Sequence, residues 1–174
     1  MKKVLFLTIM IGILVATVSG VYATTIMYDL SNLGADRWEY TYSVTNNSMS
    51  SSIEEFTIYF DLGLYENLAV GSTPTEWDAI VIQPDPALGD GFYDALALVT
   101  GIAPGATVSG FSVSFDWLVA GIPGSQLFEV VDPITFDILD SGNTAPVPEP
   151  ATLLLLGSGL IGLIGIGKKL RIKV

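Results

Sequence analysis

The chain has 174 residues, contains no cysteine and no histidine, and carries a formal net charge of −11 at pH 7. The missing cysteines exclude a disulfide framework and a cysteine zinc site, and the missing histidines remove the commonest general base and transition-metal ligand. All eighteen carboxylates lie between Asp29 and Glu149, where Arg37 is the one basic residue. Because phosphate binding needs lysine and arginine, this acidic stretch excludes nucleic acid as a partner.

The first 23 residues have the order of parts that is typical of a secretory signal peptide. Two lysines are followed by a mostly apolar run from residue 4 to residue 18, which is shorter than the ~20 residues of a membrane-spanning helix. Val21 and Ala23 fit the third-last and last positions before a cleavage site. The sequence therefore predicts a signal helix, export by the Sec machinery and cleavage between Ala23 and Thr24. An uncleaved membrane anchor is the alternative.

Apolar and polar residues alternate through residues 24–140, which is typical of β-strands with one buried face. The alternation is clearest in Trp38–Val44, Phe56–Phe60 and Phe111–Phe115. Weaker runs occur at Thr25–Tyr28, Ala79–Ile82, Ala95–Val99, Leu127–Val131 and Ile134–Leu139. Turn-forming glycine, proline and asparagine residues separate the runs. About eight such strands predict an all-β fold, an antiparallel β-sandwich of immunoglobulin-like or jelly-roll topology over residues 24–140.

One acidic loop is a candidate cation site. Asp85, Asp90 and Asp94 accompany Gly89 and Gly91, and calcium takes roughly six to eight oxygen ligands, which a glycine-bent loop can supply. The spacing is not that of an EF-hand, and solvated loop acids are the alternative interpretation. No other cofactor is expected.

Trp77 is a candidate for stacking on a sugar ring, because it follows a proline-containing loop. Tryptophan near a strand, however, more often packs in the core. Glu54 and Glu55 cannot act together as a glycosidase pair, because neighbours on a strand point to opposite faces. The segment has no lysine, so a serine nucleophile would also lack a base. These observations predict a non-catalytic domain.

The chain ends with a linker and a second apolar segment. Residues 141–150 are mostly small residues and prolines, and the prolines prevent a helix before Ala151. Residues 151–167 carry no charge, and as a helix they would be roughly 25 Å long, at the short limit for a membrane span. A basic tail of Lys168, Lys169, Arg171 and Lys173 follows. By the positive-inside rule this tail stays in the cytoplasm, which predicts a transmembrane helix and tail over residues 151–174.

The sequence Val147, Pro148, Glu149 and Pro150, followed by the leucine-rich span and the basic tail, resembles the PEP-CTERM sorting signal. The resemblance covers about residues 146–174. It implies an exported protein of a Gram-negative bacterium that makes exopolysaccharide. It also implies that this motif is recognised, and the chain processed, by an exosortase, a membrane-embedded protease-transpeptidase. A tail-anchored membrane protein with a proline-rich stalk is the alternative.

Three stretches of the middle segment are also similar to exported PEP-CTERM proteins, namely Trp38–Asn46, Pro104–Phe115 and Gly142–Thr144. This similarity implies no known activity. The expected function is therefore that of a non-catalytic protein that passes through the inner membrane and reaches the cell surface or the extracellular matrix, associated with exopolysaccharide or biofilm. The alternative is a calcium- or carbohydrate-binding, adhesin-like module on the same β-sandwich.

Overall fold

The computed structural model describes residues 24–148, and these residues form two β-sheets of five strands each and no helix. The predicted signal helix of residues 1–23 and the predicted transmembrane helix of residues 151–174 lie outside the described residues. Within the described part, no helix is long and apolar enough to cross a membrane. The expected antiparallel sandwich is therefore confirmed for the middle segment.

The chain crosses repeatedly between the two sheets. Sheet 1 contains β1 (Thr25–Gly34), β2 (Arg37–Thr45), β4 (Tyr65–Val70), β7 (Thr107–Trp117) and β10 (Ala145–Pro146), in the order β10-β1-β2-β7-β4. Sheet 2 contains β3 (Glu55–Phe60), β5 (Trp77–Ile82), β6 (Gly91–Ala97), β8 (Leu127–Val131) and β9 (Ile138–Asn143), in the order β5-β6-β3-β8-β9. Neighbouring strands are antiparallel except β1 and β10, which are parallel.

The core lies between the sheets and is largely aromatic. Apart from Trp38, which is partly buried, the alternating residues of the three clearest predicted strands point into it and are fully buried: Tyr40, Tyr42, Val44, Phe56, Ile58, Phe60, Phe111, Val113 and Phe115. The ring of Phe115 stacks on Tyr40 with centroids 4.9 Å apart, and Phe56 meets Phe111 edge-on at 5.0 Å. Aromatic pairs of this kind add about 0.5–1.5 kcal/mol beyond the burial of their area. Rings from both sheets therefore hold the sandwich together.

The sequence did not predict β4, because a bulge breaks its alternation. Asn67 has a φ of 53°, and the pairing of β4 with β7 shifts register between Glu66 and Ala69. As a result Tyr65 and Leu68, three residues apart, are the buried positions of this strand. A spacing of three does not have the period of two by which a strand is recognised in a sequence.

The only basic side chain between residues 24 and 148, Arg37, holds the same bulge. Its guanidinium donates to Asp116 Oδ1 at 3.0 Å and to the carbonyl oxygen of Asn67 at 2.8 Å. The Asn67 amide donates to Asp116 Oδ2 at 2.7 Å. The hydrogen bond from Asn67, and after it the hydrogen bond and charge of Arg37, hold the pKa of Asp116 below its ordinary value. The positive charge of Arg37 therefore lies on sheet 1, and the strands of sheet 2 carry no basic side chain.

The last predicted strand is displaced along the chain. Residues 134–139 were expected to form it, but β9 covers Ile138–Asn143. Asp132 Oδ1 instead accepts hydrogen bonds from the amides of Ile134 and Thr135, at 2.8 and 2.9 Å, which makes a turn. The sheets also continue beyond Asp140, where the sequence placed the end of the domain. The predicted linker of residues 141–150 thus supplies the end of β9 and all of β10.

Candidate functional site

The chain leaves the sandwich at the start of the motif singled out in the sequence. Strand β10 lies beside β1, with Ala145 opposite Met27 and Pro146 opposite Tyr28. The amide of Val147 donates to the carbonyl oxygen of Tyr28 at 3.0 Å. Val147 is therefore fastened to the edge of sheet 1, and Pro148 follows it exposed to solvent. Glu149 and Pro150 lie outside the described residues, as do the tail residues Lys168, Lys169, Arg171 and Lys173.

A buried polar pair, here called the Gln126–Thr144 clamp, holds the chain just before β10. The two side chains are 4% and 2% exposed. The amide of Thr144 donates to the carbonyl oxygen of Gln126 at 2.8 Å, and the amide of Gln126 donates to Thr144 Oγ1 at 2.9 Å. Thr144 Oγ1 donates in turn to Gln126 Oε1 at 2.9 Å. Because Gln126 Oε1 also accepts from the buried Tyr42 hydroxyl at 3.2 Å, the clamp joins the exit of the chain to the core.

The predicted signal cleavage site lies along the same sheet edge, three residues before Met27, which pairs with Ala145. Thr24 immediately precedes β1 and is 4% exposed, and Ala23 lies outside the described residues. Strand β1 thus begins at one predicted processing point and pairs with the strand that leads to the other. No local sequence pattern indicates this pairing, because the two segments are more than a hundred residues apart.

Trp77 is part of the core rather than of an open surface. It is 6% exposed, and its ring lies 5.8 Å from Phe56 and 5.1 Å, edge-on, from Phe111, measured between ring centroids. A ring enclosed in this way does not offer a face to a sugar. The structural interpretation of Trp77, as a residue that fills the end of the sandwich, therefore replaces its assignment to a carbohydrate platform.

Asp85, Asp90 and Asp94 each have a separate local role. Asp85 Oδ1 accepts from the amide of Ala87 at 2.7 Å, and Asp90 Oδ1 accepts from the amide of Leu62 at 2.8 Å. Asp94 lies on β6, where its Oδ1 accepts from the Thr57 hydroxyl at 2.7 Å. Among residues 24–148, no group of three or more acidic side chains is placed to hold a metal ion. The structure thus does not bring the three aspartates together.

A different surface of sheet 2 combines aromatic and acidic side chains. Tyr59 on β3 lies opposite Phe92 on β6, with ring centroids 6.4 Å apart, and both rings are half-buried. The Tyr59 hydroxyl donates to Glu129 Oε2 on β8 at 2.7 Å. Asp94 lies one residue pair further along the same face. This surface, the side of sheet 2 that points away from the core, is called the outer face below.

Burial and mutual repulsion raise the pKa values on the outer face. Burial, followed by the hydrogen bond to Glu129, raises the pKa of Tyr59 to about 12. Burial also raises the pKa of Asp94, partly offset by the Thr57 hydrogen bond. Burial and the negative charge of the nearby Asp94 both raise the pKa of Glu55. The sequence predicted β3 and placed strands near β6 and β8, but it did not show that these two strands lie on either side of β3.

Comparisons with known proteins identify the C-terminal segment and find little else. Residues 146–169 match the family model described as the PEP-CTERM protein-sorting motif. No curated protein matches the chain. Among solved structures, a cohesin module of a family 33 glycoside hydrolase from Clostridium perfringens has 9% identity and a TM-score of 0.46, covering 72% of this chain and 98% of that one.

Two other solved structures give similar values. A family 3b carbohydrate-binding module from Clostridium clariflavum has 9% identity and a TM-score of 0.41, covering 70% of this chain and 97% of that one. A chitin-binding domain from Streptomyces coelicolor has 22% identity and a TM-score of 0.40, covering 61% and 90%. The family match, in contrast, begins where the described fold ends. The match of residues 146–169 to the PEP-CTERM protein-sorting motif implies an exported protein with an exosortase as its processing partner.

Proposed function

We propose that this chain is an exported, exosortase-processed protein of the bacterial cell surface or extracellular matrix, associated with exopolysaccharide or biofilm. The observation that carries this proposal is the position of the sorting motif. The motif begins at Pro146, the last residue of β10, so a folded domain is followed at once by a sorting signal. In this proposal the domain is a non-catalytic module that needs no cofactor.

The charge distribution supports the proposed route of the chain. The basic residues other than Arg37 lie at positions 2, 3, 168, 169, 171 and 173, outside the sandwich. Lysines and arginines next to apolar segments stay on the cytoplasmic side, which leaves the acidic sandwich on the outer side of the membrane. The signal of residues 1–23 and the span of residues 151–174 then hold the chain in the inner membrane of a Gram-negative producer until processing.

Both ends of the protein are expected to be processed when it is recovered from the cells that make it and from their medium. Intact mass spectrometry should find a start at Thr24 and an end near Pro148–Pro150. A variant carrying both Pro148→Ala and Glu149→Ala should keep its tail, since the recognised motif is gone. An intact tail through Val174 in the membrane fraction of the unaltered protein would contradict processing and favour a membrane-tethered domain.

A second candidate function, binding of a neutral polysaccharide, is favoured by the outer face. Sugar rings bind by stacking on aromatic rings, and their hydroxyl groups donate to carboxylates. The outer face offers the partly exposed Tyr59–Phe92 pair beside Glu129 and Asp94. No lysine or arginine lies on sheet 2. Such a face repels an anionic polymer, so a neutral glycan is the occupant that its charge fits.

Retardation in polyacrylamide gels that contain a polysaccharide tests this second function. We expect a neutral glucan to slow the protein and the anionic polymer alginate to leave its mobility unchanged. Combining Tyr59→Ala with Phe92→Ala should weaken binding roughly tenfold, or about 1.4 kcal/mol. Tyr59→Phe is the matched control, because it keeps the ring and removes only the hydroxyl. Equal retardation of the double variant and the unaltered protein would rule out the outer face as the binding surface.

A further inference from the structure

The first residue of the predicted mature chain lies in a small site built from oxygen atoms. The backbone nitrogen of Thr24 is 3.0 Å from Ser48 Oγ and 3.0 Å from Asp140 Oδ2. Ser48 follows β2 of sheet 1, whereas Asp140 lies on β9 of sheet 2. Thr24 itself is almost completely buried, at 4% exposure. The nitrogen of one residue thus meets acceptors from both sheets.

These acceptors suit a group with more protons than a peptide amide has. A peptide nitrogen carries one proton, which two acceptors at equal distance must share, whereas an α-ammonium carries three. Hydrogen bonds that do not involve the Thr24 nitrogen also hold the two acceptors in position. The Ser48 hydroxyl donates to Asp140 Oδ2 at 2.7 Å, and the amide of Ser141 donates to Asp140 Oδ1 at 2.9 Å. A charged donor on a positioned carboxylate forms a shorter and stronger hydrogen bond than a neutral amide does.

Asp140 has no cationic side chain to pair with in the described part of the chain. Arg37 is the only lysine or arginine between residues 24 and 148, and it is engaged with Asp116 on sheet 1. Burial acts to raise the pKa of Asp140, but hydrogen bonds from Thr24, Ser48 and Ser141 outweigh it and hold the pKa below its ordinary value. A carboxylate that is ionised at neutral pH therefore faces the nitrogen of Thr24.

We propose that Ser48 and Asp140 are a receptor site for the α-ammonium group of Thr24, so that removal of the signal peptide creates an ion pair that fastens β1 to β9. Hydrolysis of the Ala23–Thr24 peptide bond consumes one water molecule. The Ala23 carbonyl carbon gains an oxygen and leaves as a carboxylate. The Thr24 nitrogen leaves the broken bond and becomes an ammonium group. Before cleavage the site holds a neutral amide, and after cleavage it holds a cation.

The consequence extends to the last strand of the domain. Strand β9 leads through Thr144 into β10, which pairs with β1 and ends at the sorting motif. An ion pair between Thr24 and Asp140 therefore tightens the same sheet edges that hold Val147. The sandwich gains its full stability only after export has removed the signal, which keeps the precursor easier to unfold. This inference rests on signal cleavage before Thr24 and does not depend on what the domain binds.

Labelling of amines can test the site, because no lysine of the sandwich competes with the Thr24 amine. The lysines of the chain are at 2, 3, 168, 169 and 173, so Thr24 supplies the one amine of a mature chain between residues 24 and 148. The processed protein is treated with an acetylating ester at neutral pH, and peptide mass spectrometry measures the rate at Thr24. An ion-paired ammonium reacts slowly, and one unit of raised pKa lowers the reactive fraction roughly tenfold.

We expect Asp140→Asn to accelerate acetylation of Thr24 at least tenfold. Asp137→Asn is the matched control, since it removes one exposed carboxylate close by in the sequence and should leave the rate unchanged. If Asp140→Asn does not accumulate, Ser48→Ala replaces it and should also accelerate the reaction. Equal rates in all the proteins would overturn the receptor site. A mature start other than Thr24 would overturn it too, without affecting the evidence for processing at the tail.

A thermal comparison separates the ion pair from an ordinary hydrogen bond. Insertion of Gly-Ser between Ala23 and Thr24 moves the new terminus two residues away and leaves a peptide amide at Thr24. In this extended protein, Asp140→Asn should lower the melting temperature less than it does in the protein that starts at Thr24. An equal loss in both backgrounds would mean that Asp140 only accepts a hydrogen bond, and the inference would fail.

Discussion

Phe115→Ala is expected to lower the free energy of unfolding of the sandwich by about 3–5 kcal/mol. Phe115 is fully buried at the centre of the aromatic core. Its ring lies 4.9 Å from Tyr40, 5.0 Å from Tyr65 and 6.0 Å from Phe60. Removal of the ring loses its transfer free energy and leaves a cavity between the sheets, which rigid neighbouring rings cannot fill. Urea unfolding followed by tryptophan fluorescence measures the change.

Phe136→Ala is the matched control for this experiment. Phe136 is 74% exposed on the turn between β8 and β9, so the same substitution there should change the free energy of unfolding by less than about 0.5 kcal/mol. A loss of under about 1 kcal/mol for Phe115→Ala would contradict the tight packing of rings from the two sheets.

The sequence predicted those parts of the fold in which one physical signal dominates. The central residues on one face of β2 and of β7 are fully buried, so burial alone produces the alternation seen around Tyr42 and Val113. Strand β9 has no such signal. Its residues Ser141, Gly142 and Asn143 are polar or small, whereas the apolar Ile134 and Phe136 just before it are exposed. A prediction based on hydrophobicity therefore placed the strand over the turn that precedes β9.

The sequence predicted the part of the candidate site that is one continuous segment, but not the parts that the fold brings together from distant segments. The sorting motif is a continuous segment that ends in a basic tail, so its recognition needed no fold. Trp77 could be placed in the core only after Phe56 and Phe111 were known to lie against it. The contact between Thr24 and Asp140 joins residues 116 positions apart and depends on the order of the strands. No local pattern carries that information.

Gln126→Ala is expected to lower the free energy of unfolding by about 2–4 kcal/mol and to loosen the exit of the chain. The substitution leaves the hydroxyls of Tyr42 and Thr144 in the core without their acceptor. Each buried polar group deprived of its partner costs about 1–3 kcal/mol. Since Thr144 precedes β10, hydrogen exchange of the Thr144 and Val147 amides should accelerate more than exchange at the centre of β2.

Gln83→Ala is the control for losing a glutamine whose side chain is hydrogen-bonded at the surface rather than in the core. Its side chain accepts from the amide of Leu68 at 2.8 Å and donates to the Leu68 carbonyl oxygen at 2.7 Å, but Gln83 is exposed. Water can replace these bonds, so the expected loss is below about 1 kcal/mol. Equal losses for the two variants would contradict the clamp. A larger loss for Gln126→Ala with unchanged exchange at Val147 would mean that the core does not hold the start of the sorting motif, and that β10 is fastened by its pairing with β1 alone.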